Sequence, residues 1–181
     1  LIGILLLIPS VIGTIKTRIN YDILSYLPES LETVKGQDVM VDEFGTGAFS
    51  MVVVEDMPLK DVQKLKNKFE EIEHVKKVLW YDDIADISVP TSMMPKDLKN
   101  IFFADDSTMM LVLFDNTTSS DEAMEAVTNM RAIADKQCFI SGMTGVVTDI
   151  KNLALKELPV YVVIAALLSL VVLELTSGSF V

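Results

Sequence analysis

The side chains able to do chemistry in this chain are few and scattered. His74 is the single histidine, beside Glu73 in a stretch that reads as a surface turn between a helix and a strand. Zinc sites draw on several His or Cys ligands, and a nucleophilic triad needs a base and its orienting partner, so one histidine serves neither. Cys138 is the single cysteine. It cannot form an internal disulfide, and its strand-like surroundings predict an inert core thiol. Two acidic pairs, Asp82-Asp83 and Asp105-Asp106, flank a long connection. A calcium loop supplies more oxygen ligands at alternating spacing around a glycine turn, so both pairs read as solvated strand ends. The expectation is no catalytic residue, no metal site and no cofactor.

Ten methionines are the remaining feature. Thioethers adapt to irregular apolar shapes, which suits a conduit for varied lipophiles. Met51, Met109, Met110, Met124 and Met130 fall at core-like positions instead. Met93 and Met94 do not: they precede Pro95 in the long connection, with Phe102 and Phe103 following. Two readings stay open for these four residues, a substrate path and packing against a neighbouring subdomain.

The elements that would position such a path lie between two apolar, uncharged runs, Leu1–Ile15 and Leu158–Leu173. The second covers about 24 Å as a helix and, with the residues after it, is long enough for a hydrocarbon core of about 30 Å. Pro159 is expected in the first turn of that helix, where its missing N–H costs little. The first run is too short to span alone, and the chain opens on Leu. It reads as the end of a membrane helix whose start lies upstream, since no basic region precedes it as in a signal peptide. Glu174 is expected at the far membrane interface.

All 15 basic residues and all but one of the 26 acidic ones fall between the two runs, in a chain of net charge -11. No basic stripe exists to displace counterions, so nucleic acid is not an expected partner. The intervening stretch is long enough for one domain with its own core.

Its pattern is legible. Ala48–Glu55 and Ser107–Asp115 are apolar on both alternating faces, as central strands are; Val75–Asp82, interrupted by Lys76 and Lys77, reads as an edge strand. A helix opens after Pro58, with Leu59, Val62, Leu65, Phe69 and Ile72 inward. Ser119 and Glu122 predict a capping box for a second helix that turns Met124, Val127, Met130 and Ala134 inward. Gln137–Gly142 closes the series as a short strand. The order is β-α-β-β-α-β, an α+β fold of the ferredoxin-like type flanked by transmembrane helices. Helices cover one face of such a sheet, so the apolar second face predicts a further packing partner. Outside this unit, a Pro28-led helix is expected over 30–44. Thr144–Glu157 reads as an amphipathic connecting helix with Val146, Val147, Ile150 and Leu153 inward. The divisions are therefore 1–15, the end of a first membrane helix; 16–47, an entry segment; 48–142, the ferredoxin-like unit; 143–157, a connecting helix; and 158–181, a second membrane helix.

Two segments, DILSYLPESLETVKGQDVMVDEFG (Asp22–Gly45) and SGMTGVVTDIKNLALKELP (Ser141–Pro159), carry a resemblance in their order and framing. The first resembles the "LP-acid, helix, FG" entry segment of RND superfamily transporters, MMPL-like branch, and the second their TG-containing lead-in to a membrane helix. The resemblance covers essentially the whole chain. It implies the first extracytoplasmic porter loop of a multi-pass exporter of lipids, drugs or other hydrophobic solutes, driven by the proton or ion gradient. Residues 16–157 would be extracytoplasmic, a side that long loops do not reveal by charge. Implied partners are the bilayer, a hydrophobic substrate, a second porter subdomain and the remaining membrane helices. The proton-relay residues of that family sit in other helices, so none is carried over. The alternative is the extracytoplasmic sensor domain of a two-helix signalling receptor, which predicts a cytoplasmic heptad linker after the second helix.

Overall fold

A computed structural model describes residues 26–84 and 95–177, together with residues 9, 12, 13, 17, 21 and 93. The first expected membrane segment, 1–15, falls almost entirely outside the described residues, as does Met94. The described elements are α1 (Glu32–Asp42), β1 (Ala48–Glu55), α2 (Leu59–Glu70), β2 (Val75–Leu79), α3 (Lys96–Phe102), β3 (Phe103–Ala104), β4 (Ser107–Phe114), α4 (Asp121–Ile133), β5 (Cys138–Ser141) and α5 (Met143–Ser177).

The sheet is antiparallel throughout, in the order β2-β4-β1-β5, with β3 pairing β4 beyond the end of β2. β1 and β4 are therefore central, and their full-length register runs from Ala48 opposite Phe114 to Glu55 opposite Ser107. β2 and β3 share one lane against β4: the chain leaves it after Leu79 and returns at Phe103. Between Val75 and Lys77 the β2 register shifts. This bulge turns Lys76 and Lys77 both outward while Val75 and Val78 both reach the core.

One face of the sheet carries the core. Ala48, Val52 and Val54 of β1 and Met110, Val112 and Phe114 of β4 meet Val62, Leu65 and Phe69 of α2 and Ala123, Ala126, Val127 and Met130 of α4. Trp80 and Tyr81, expected within an edge strand, instead leave the strand and close this core as its largest buried side chains. Their rings meet edge-to-face at 4.4 Å between centroids. A single turn of 3-10 helix, Tyr81–Asp83, follows.

Three local expectations need correction. The cap of α4 is Ser120, whose Oγ accepts the Ala123 N–H at 3.1 Å, so the helix starts one residue later than a Ser119 box requires. The connecting and membrane helices are one continuous 35-residue helix, α5, with Pro159 inside it rather than in a first turn. Leu, Ala, Lys and Glu before Pro159 and Ala and Leu after it sustain the helix, and the cost is the lost bond from the missing Pro159 N–H. Finally, the α5 face that packs on the domain is Thr144, Val147 and Thr148, whereas Val146, Ile150 and Leu153 are exposed. The small threonines allow close approach, and the Thr148 hydroxyl satisfies itself on the Thr144 carbonyl at 2.7 Å.

Candidate functional site: the open sheet face and its stalk

Among the described residues, no helix lies over the face of the sheet opposite α2 and α4. Register places Leu79, Leu111, Met51 and Ser141 side by side in one row, and Lys77, Leu113 and Phe49 in the next towards the start of β1. A third row holds Met109, Val53 and Phe139. Strand spacing makes this platform about 14 Å wide, and it extends roughly as far along the strands. Phe49 is 43% exposed, Met51 40% and Phe139 53%. Val53, Met109, Leu111 and Leu113 are half-buried by their neighbours alone. Apart from Lys77 and Ser141 the surface is apolar. Lys77 stands at its margin with Nζ 3.5 Å from Asp83 Oδ1.

What the stalk does mechanically follows from its contacts. The first three turns of α5 lie antiparallel on α4, clamped by Arg131 to both carboxylate oxygens of Asp149 at 2.5 and 3.0 Å and by Lys151 to Asp121 at 2.7 Å. Gly142, with φ of +105°, makes the turn from β5 into the helix. A Cβ there would stand 3.1 Å from the Ser50 Cα, so the helix starts directly against the central strand. Beyond Ala154 the helix leaves the domain, and Met143–Thr176 contains an apolar window long enough to cross a membrane. One continuous helix thus joins the sheet to this apolar, membrane-length window.

The residues singled out from sequence are distributed differently. Met93 is 75% exposed. Phe102 and Phe103 pack against the core. The Phe103 ring lies 5.0 Å from Tyr81, and with Met57 and Leu59 it lines a shallow cleft of about 240 Å³ beside the β3–β4 turn. The Phe102 carbonyl accepts from Thr108 Oγ1 at 2.9 Å, and that hydroxyl accepts the Trp80 indole N–H at 2.8 Å. His74 occupies a turn at φ +70°, its Nε2 4.0 Å from Glu73. Cys138 is half-buried, and burial pushes its thiol pKa up, away from reactivity. Among the described residues no group of three or more His, Cys, Asp and Glu is placed to hold a metal ion.

Sequence reasoning missed one ionic cluster. Lys66 is 5% exposed, within the buried stripe of α2 between Val62 and Phe69. Its ammonium donates to Asp82 Oδ1 at 2.6 Å and Asp83 Oδ2 at 2.7 Å. Asp83 also accepts the Trp80 backbone N–H at 3.0 Å. Asp82-Asp83 is therefore a clamp on α2 and not a solvated strand end. The burial of the lysine was readable, though not its partners: a residue three before Phe69 and four after Val62 must lie on the apolar face.

Compared with protein-family models and with curated protein sequences, the chain matches none.

Proposed function

We propose that this chain is the substrate-handling loop of an RND-type exporter of the MMPL-like branch, a multi-pass membrane protein that moves lipids, drugs or other hydrophobic solutes on the proton gradient. The α+β domain is read as ferredoxin-like: two α-β crossovers lay α2 and α4 on one side of a sheet ordered β2-β4-β1-β5. The observation that carries the proposal is the uncovered apolar platform Phe49, Met51, Val53, Met109, Leu111, Leu113 and Phe139, on a sheet joined by α5 to a membrane-length helix. A lipophile, or a second subdomain enclosing it, would bury that surface at a gain of about 25 cal/mol per Å². The polarizable methionines adapt to differing solutes, and tilting of α5 would move the platform as one body. Chemistry on the solute is not part of this reading, which makes the protein a carrier and not an enzyme.

The continuous α5 equally supports a receptor that transmits a binding event through its second membrane helix. Reading the parent frame beyond Val181 separates the two. The exporter requires further apolar helices, an ionisable residue within one of them, and a second loop of this type. A cytoplasmic heptad linker in their place would replace the exporter by the sensor.

A further inference from the structure

The end of the sheet that faces the membrane follows from the ion pairs of α5. Running antiparallel to α4, α5 passes the first residue of α4 where Lys151 meets Asp121. That end of the domain also holds Phe114, its partner Ala48, and Val75. From Lys151 to Leu158, where the uncharged run begins, the helix rises about 10 Å. The headgroup layer over a bilayer core takes up about 6 Å of that. The gap left beneath the sheet is narrower than a helix, whose diameter is about 10 Å with side chains. Any tilt of α5 narrows it further.

The segment leading from α1 into β1 crosses this rim. Gly47 N–H bonds the Phe114 carbonyl at 3.3 Å. Three residues earlier, the Phe44 and Gly45 carbonyls accept from Lys76 Nζ at 2.6 and 3.0 Å, two strands away on β2. α1 hangs from that rim through Gln37, whose side-chain amide donates to the Gly47 carbonyl at 2.6 Å. Val34, Gln37 and Val41 are half-buried on one side of the helix, yet no residue of α1 is buried. Met40, near the end of α1, and Phe44, in the turn two residues beyond it, both project outward, and Phe44 is 69% exposed.

We infer that α1 and the turn after it form an interfacial segment: Met40, near the end of the helix, and Phe44, in the turn that follows, insert into the headgroup–acyl boundary of the bilayer that α5 crosses. The occupant is neutral phospholipid, because Glu32, Asp38, Asp42 and Glu43 outnumber the lone Lys35 along this stretch and an anionic surface would repel them. Such an anchor fixes the tilt of the domain on its stalk, so that the platform stands at a set height above the membrane. The inference rests on α5 spanning the bilayer and does not depend on the solute or on export.

The test uses the complete chain reconstituted in phosphatidylcholine vesicles whose acyl chains carry bromine near the headgroup. Emission of the unsubstituted protein, in which Trp80 is buried at the opposite end of the sheet, is subtracted as the background. Phe44→Trp is expected to emit at shorter wavelength than an exposed indole and to lose most of its added emission to bromine. Adding anionic lipid is expected to weaken that quenching. Leu167→Trp lies about 13 Å along the uncharged run from Leu158, and in parallel vesicles brominated near the acyl-chain ends it reports whether α5 is in the membrane. Quenching at position 167 with water-like, unquenched emission at position 44 overturns the anchor alone. Loss of quenching at both positions overturns the spanning helix and the anchor with it.

Discussion

Replacing Lys66 by methionine is expected to destabilise the domain by about 3–5 kcal/mol, a cost set by what remains and not by what is lost. Methionine keeps the length and apolar stem that pack beside Val62 and Phe69, so no large cavity opens. Asp82 and Asp83 are left close together with their strongest partner gone. The sign of each shift follows from the same cluster. For Lys66, burial works to lower the pKa, but the hydrogen bonds and charges of Asp82 and Asp83 outweigh it and hold it raised. For Asp83, burial works to raise the pKa, yet hydrogen bonds from Lys66 and the Trp80 N–H, with the charges of Lys66 and Lys77, hold it lowered. A depressed carboxyl contributes stability that is present above its unfolded pKa and lost as pH falls through the folded one. The contribution is therefore intact above the ordinary value of 3.8 and disappears below it. Urea melts of the wild type and Lys66→Met at neutral and acid pH should show the gap between them closing on acidification. Adding Asp82→Asn and Asp83→Asn to Lys66→Met should restore part of the loss. No restoration would mean that the lysine stem, and not its charge, holds α2.

Trp80→Ala is expected to cost a similar amount, about 3–5 kcal/mol, by a different route. Trp80 is fully buried, packs edge-to-face on Tyr81, and donates its indole N–H to Thr108. Thr108 in turn holds the Phe102 carbonyl at the return of the long connection. Truncation leaves a void too large for neighbours to fill and frees the connection at both ends. Trp80→Phe keeps most of the volume and removes the donor, so its expected cost is smaller, about 1–2 kcal/mol. Hydrogen exchange should show that loss of protection in Trp80→Ala spreads from Thr108 into β3. A melt within 1 kcal/mol of wild type, taken as about the cost of one hydrogen bond, would contradict the assignment of Trp80 to the core.

How far the sequence reveals these features depends on the kind of signal. Alternation along Ala48–Glu55 and Ser107–Phe114 is a backbone period, and it identified the central strands and the uncovered face together. The stripe on α2 was equally readable through Val62, Leu65 and Phe69. Trp80 and Tyr81 were readable as apolar but not as a turn, because two adjacent aromatics can both reach one core only when the strand ends between them and the next element. The inner face of α5 misled for a simple reason. Periodicity weighs apolar character, whereas Thr144 and Thr148 were chosen by size and by a self-satisfied hydroxyl, leaving Val146, Ile150 and Leu153 outward. Ser119 and Ser120 are chemically the same cap, and only the geometry of the turn selects Ser120. The Lys66 clamp joins residues 16 and 17 positions apart, a distance that no local pattern reports.

The central claim is that the platform handles a lipophile for proton-driven export, and the most direct measurement is efflux by the complete parent chain. Cells loaded with a fluorescent lipophile would be compared with and without a proton gradient, for the wild type, Leu111→Asp at the centre of the platform, and Lys60→Asp on exposed α2 as control. Covering an unpaired carboxylate costs more than about 1.4 kcal/mol, so Leu111→Asp should slow efflux about tenfold or more at equal abundance. Lys60→Asp should match the wild type, and collapse of the gradient should stop both. Efflux by Leu111→Asp at the wild-type rate, or efflux indifferent to the gradient, would contradict the account.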